Sequence, residues 1–159
     1  MPAYPSNVAD LLATPHPVSL GPGAPAEALR AAIARAAKTL PPPCAAGLWL
    51  RFDFLDESHR VSQTAEGTPD YDFWHAVMHR REPDAFNSKY WWRRVGAHPV
   101  LALLRERAPA AGYAYASPEA FVDFCEAARG TGTADEELAK RVQQLEWDTL
   151  FAWCFERGR

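Results

Sequence analysis

Residues 71–100 read YDFWHAVMHRREPDAFNSKYWWRRVGAHPV, and how this stretch folds decides how the whole chain folds. Tyr71 to Arg81 has no internal breaker and predicts a helix. Glu82-Pro83-Asp84 interrupts it, because proline lacks the amide proton and its ring clashes with the preceding turn. Asp84 is a good cap for a second helix over Ala85 to Val95, and Gly96 can end that helix in the left-handed conformation. The local prediction is therefore helix, tight turn, helix.

The same signals recur outward from this pair. His98-Pro99 opens a short helix to Arg107, and Ser117-Pro118-Glu119 supplies cap, first-turn proline and first-turn acid for a helix through Arg129. Gly130 and Gly132 break it. Thr133 with Glu136 reads as a capping box for the last helix, whose inner face carries Leu138, Val142, Leu145, Thr149 and Ala152. Upstream, Leu48, Leu50, Phe52 and Phe54 alternate as in a strand, while Leu48, Phe52, Leu55, His59 and Ser62 follow helical spacing. The helical pattern runs on to Gln63 and is preferred, which turns His59 inward. Ala26 to Leu40 is an Ala-rich helix with Leu29, Ile33, Ala36 and Leu40 on one stripe, ended by Pro41 to Pro43. Before it, Ser6 can cap a short helix to Leu12, and His16, between two prolines, reads as a surface residue. The expected architecture is all-α: an irregular single-domain bundle of about six helices over residues 26–159, with a Pro-rich N-terminal arm over residues 1–25.

Composition agrees with one core. The chain has 159 residues, 48% of them apolar, enough to bury roughly 70% of the surface exposed by the unfolded chain. Six of its 14 prolines precede residue 26. The net charge of −3 argues against general attraction to nucleic acid or to a membrane surface. Three scattered cysteines, Cys44, Cys125 and Cys154, suggest neither a disulfide framework nor a zinc knuckle and are expected to be reduced and packed. Without a spanning apolar run or a basic leader, the chain is expected to be soluble and cytoplasmic. A homo-oligomer is left open.

Chemistry concentrates between His75 and His98. These 24 residues hold three of the five histidines, four aromatics, and five Lys/Arg against two acids. They carry +3, leaving −6 on the rest. His75 and His79, four apart, project from one helix face and can share a metal ion. His59 from the preceding helix and Glu82, three residues beyond His79, are candidates for a third ligand. Zinc, iron, manganese or nickel held this way would lower the pKa of a bound water and supply a hydroxide nucleophile, as in a metal-dependent hydrolase. The pattern is not the zinc-protease HExxH, because Ala76 stands where the glutamate would be.

The cations favour a second reading, which leads on sequence grounds: a pocket for a small anionic molecule carrying a phosphate, sulfate or carboxylate. Arg80, Arg81, Lys89 and Arg93 would clamp the acid group, aided by amides at the start of the Ala85 helix. Gln63, Asp84, Asn87 and Tyr90 would orient the remainder, and His59 or His79 would serve as general acid or base. Against both stands a structural reading. Arg80, Arg81, Glu82 and Asp84 would form a buried ion-pair network between two helices, packed around by Trp74, Tyr90, Trp91 and Trp92, with His59 and His75 as satisfied core residues. In a related version, the proline-rich arm and exposed tryptophans dock a partner protein.

The segment ending in DESHRVSQ, followed by FWHAVMHRREPDAFNSKYWWRRVGAHPV, resembles an uncharacterised family of small bacterial and fungal proteins. The likeness covers roughly Leu48 to Val100, and more loosely the final helix around LEWDTLFAWC. It implies a shared architecture and a shared site, and it names no reaction.

Overall fold

The computed structural model describes residues 2–158, and among them every regular element is helical. Nine α-helices follow in order: α1 (Ser6–Ala13), α2 (Arg30–Ala37), α3 (Pro42–Arg51), α4 (Leu55–Gln63), α5 (Pro69–Arg81), α6 (Ala85–Val95), α7 (Pro99–Arg107), α8 (Pro118–Ala128) and α9 (Ala134–Arg157). Two 3₁₀ turns, Glu27–Leu29 and Ala108–Ala111, precede α2 and follow α7. No helix is long and apolar enough to cross a membrane.

The expectation of about six helices is too low, in part because residues 48–63 are not one helix. Pro41 to Pro43 do end the Ala-rich segment, but they also start α3, with proline in its first turn where the missing amide is no loss. The chain then breaks at Phe52–Phe54, with Asp53 at φ 66°. Phe52 and Phe54 are both buried on either side of this turn, which is why the sequence alternates there as a strand would.

At the helix starts, Asp84 accepts from the Asn87 amide at 3.0 Å and Ser117 from the Ala120 amide at 3.1 Å, as their spacing predicts. His98 caps α7 through Nδ1, which accepts from the Val100 amide at 3.1 Å, while Nε2 meets Asp70 at 2.8 Å. Two expected caps are absent. Pro5, not Ser6, sits at the start of α1, and the Thr133 hydroxyl makes no cap to α9. The Glu136 carboxylate bonds instead to the amides of Gly130 and Gly132, because the Gly-rich turn points two free donors at it.

The centre of the molecule is α5. Its residues from Asp72 to Arg81 are all buried, charged ones included, the mark of a helix covered on every side. Helices α3, α4 and α6 pack around it, and α9 packs on α3, α7 and α8. The α3–α5 crossing is close enough to require Gly47: a Cβ there would lie 2.5 Å from the Trp74 ring. All three cysteines are free and buried.

The N-terminal segment lies on this assembly rather than beside it. Val8, Leu11 and Leu20 are core residues. Four side chains, three on α3, α5 and α9 and one just past the end of α8, donate to its carbonyls: Arg51 to His16, Gln143 to Ser19, Arg129 to Leu20 and Arg81 to Gly21. His16 is no free surface residue, since its Nε2 sits 2.7 Å from Asp53 and its side chain is 11% exposed.

Candidate functional site

Each histidine of the cluster is placed by ordinary helix geometry. His75 and His79 lie one turn apart on α5, and His59 on α4 faces them, as the helical spacing through Leu55 and Ser62 requires. The ring centroids stand 4.7 Å (His59–His75), 5.3 Å (His59–His79) and 4.9 Å (His75–His79) apart. One ring nitrogen from each histidine falls within 4.8 Å of the other two. Tetrahedral coordination at ~2.0–2.1 Å would bring such nitrogens to about 3.4 Å. Reaching that requires His75 and His79 to rotate out of a near-parallel stack, now 17° between ring planes.

The surroundings are those of a partly buried polar cluster with one apolar neighbour. Trp91 of α6 stacks on the His75 ring with centroids 3.8 Å apart and planes at 19°. His75 is 2% exposed, and its Nδ1 is buried without a hydrogen-bond partner among the described residues. Burial, then the neighbouring His79 and His59, push the His75 imidazole down to about 3. Burial and His79 also lower His59, only partly opposed by Glu82, Asp56 and Glu66. Both rings are therefore neutral near pH 7, the form in which imidazole donates a lone pair.

Glu82 and Asp84 close one side. His79 Nδ1 lies 2.7 Å from Glu82 Oε2, and His79, Glu82 and Asp84 form a second group of mutually close ligand atoms. Asp84 is held by both the amide and the side-chain nitrogen of Asn87, at 3.0 and 2.7 Å. Those bonds, the backbone one foremost, hold its carboxyl below the usual range.

The cations do not converge on the histidines. Arg80 turns into the core, where its guanidinium meets Glu146 at 2.6 and 3.2 Å and Gln143 at 3.2 Å. Arg81 bonds to Asp53 and to the carbonyls of Leu50 and Gly21. Lys89 pairs with Asp123 at 2.6 Å. The buried ion-pair network thus exists, but its acids are Glu146 and Asp53 rather than Glu82 and Asp84. Arg93 and Gln63 are exposed, and Tyr90, 41% exposed, lies edge-on to Trp91. All six tryptophans are buried or half-buried; the exposed large apolar side chains among the described residues are Phe86 and Tyr90.

Sequence reading missed Asp53, Gln143 and Glu146 as the arginines' partners, and Trp91 as the apolar neighbour of the histidine cluster. Asp53 carried a usable signal, being an acid set between two phenylalanines. Glu146 carried none, since it lies 66 residues from Arg80. No protein-family model, curated protein or solved structure matches this chain.

Proposed function

We propose that this protein binds one divalent transition-metal ion, zinc, iron, manganese or nickel, through His59, His75 and His79. The open coordination position would take water or a small anionic molecule. The observation that carries the reading is the meeting of three histidine side chains from two helices around one point, with the buried Nδ1 of His75 left unpaired. An unpaired buried polar atom costs about 1–3 kcal/mol, a cost that an ion held by the cluster would relieve. Supporting it, His59 and His75 need lose no proton to coordinate at neutral pH.

Three histidine nitrogen ligands and an open position are the arrangement that brings a bound water's pKa to near neutrality, so the reading extends to a metal-dependent hydrolase. Anion binding enters at that open position, since Arg80, Arg81 and Lys89 already have partners in the fold. Trp91 covers one face of the His75 ring and keeps water from it.

Elemental analysis of untagged protein purified without chelator tests this directly, with wild type compared to the His75→Ala/His79→Ala double variant. About one equivalent of metal in the wild type, lost in the variant, is the expected result. A metal-free wild type after growth in supplemented medium would sink the reading.

A further inference from the structure

We propose that Glu82 is the positioning residue of this centre, acting through His79 rather than touching the ion. The inference rests on the metal reading above. Its geometric basis is the 2.7 Å contact between Glu82 Oε2 and His79 Nδ1. A carboxylate accepts, so Nδ1 carries a proton toward Glu82, and the lone pair that His79 offers an ion is that of Nε2. The two ring nitrogens point to opposite edges of the imidazole. With Nδ1 turned along the helix toward Glu82, Nε2 is the nitrogen left for an ion shared with His59 and His75.

Three further observations separate this role from direct ligation. Glu82 is 37% exposed while the His79 side chain is 10% exposed, so the carboxylate lies on the solvent side of the imidazole. Its neighbour Asp84 is already engaged by both nitrogens of Asn87, whereas the Glu82 carboxylate has His79 as its close partner. Among the described residues, neither His59 nor His75 has a carboxylate within ion-pairing distance, so His79 is the one ligand whose tautomer is set by a charged partner. Such outer partners raise the basicity of the ligand and fix its ring, and their loss typically costs about 10–100-fold in metal affinity. Held off the ion, Glu82 also leaves the open position free for an incoming anion.

The test uses Glu82→Ala and Glu82→Gln in the full chain, with Zn²⁺ affinity measured by competition against a chromophoric chelator and geometry read from the visible spectrum of the Co²⁺-loaded protein. Expected is a roughly 10–100-fold weaker Zn²⁺ affinity for Glu82→Ala with the wild-type Co²⁺ band shape. Glu82→Gln should fall between, because the amide oxygen still accepts from Nδ1. In metal-free protein, nitrogen-15 NMR should find His79 protonated on Nδ1 in the wild type and in mixed tautomers in Glu82→Ala. Unchanged affinity in Glu82→Ala would overturn the proposal, as would a change in the Co²⁺ spectrum that reports loss of an oxygen ligand. A wild type that binds neither Zn²⁺ nor Co²⁺ would instead remove the metal centre itself, and the proposal with it.

Discussion

At the scale of single residues, the buried charges make the sharpest predictions. Arg80 and Glu146 are 0% and 1% exposed, so removing either leaves the other desolvated and unpaired. Arg80→Ala should therefore destabilise the protein by about 3–5 kcal/mol, read as a melting temperature lower by on the order of 10 °C. His75 gives a pH prediction. Its folded value of about 3 lies below the ~6.5 of an unfolded imidazole. As pH falls below about 6.5 the unfolded chain gains a proton that the fold refuses, and stability is lost until about pH 3. His59, also lowered, acts in the same direction. Thermal melts in chelator across pH 3–8 should show this loss, and His75→Leu should flatten it. The histidines were legible in the sequence because helical spacing puts 75 and 79 on one face and turns 59 inward, and the packing of α4 on α5 then brings the three together. The arginines were not, because what decides their role is the acid opposite, and nothing local points to an acid on another helix.

At the scale of elements, the sequence disclosed helices wherever the stop and start signals were local. Pro83 with Asp84, and Ser117 with Pro118, mark the ends of α5, α6 and α8 because proline and cap act within one turn. The split between α3 and α4 was hidden, since its cause is Asp53. That residue adopts φ 66° while its carboxylate takes hydrogen bonds from Arg81, His16 and the Ala24 amide. Those partners are supplied by other elements, and a backbone turn stabilised by them has no sequence period. The α3–α5 crossing yields its own prediction. Gly47→Ala places a methyl 2.5 Å from Trp74, and the helices must part. Overpacking of this kind costs about 1–3 kcal/mol, and the shift should also weaken the bond from Trp147 Nε1 to the Gly47 carbonyl, now 2.8 Å. Denaturant unfolding checks the stability loss, and near-ultraviolet circular dichroism should register the disturbed tryptophans.

At the scale of the whole molecule, the N-terminal segment is packed into the core of the fold. Val8 is fully buried, with Leu11 and Leu20 at 5% and 2% exposure. Burying three such side chains is worth roughly 5–9 kcal/mol, comparable with the ~5–15 kcal/mol of a typical domain. Deleting residues 1–25 should therefore leave a chain without a cooperative melt, checked by calorimetry. The segment is also a matter of timing. Its Ser19 carbonyl is held by Gln143, 124 positions later, so a ribosome working at about 5–20 residues per second exposes the segment about 6–25 s before that partner exists. Leu11 and Leu20 spend that interval uncovered, and this is the window in which the nascent chain is most open to chaperones and to self-association.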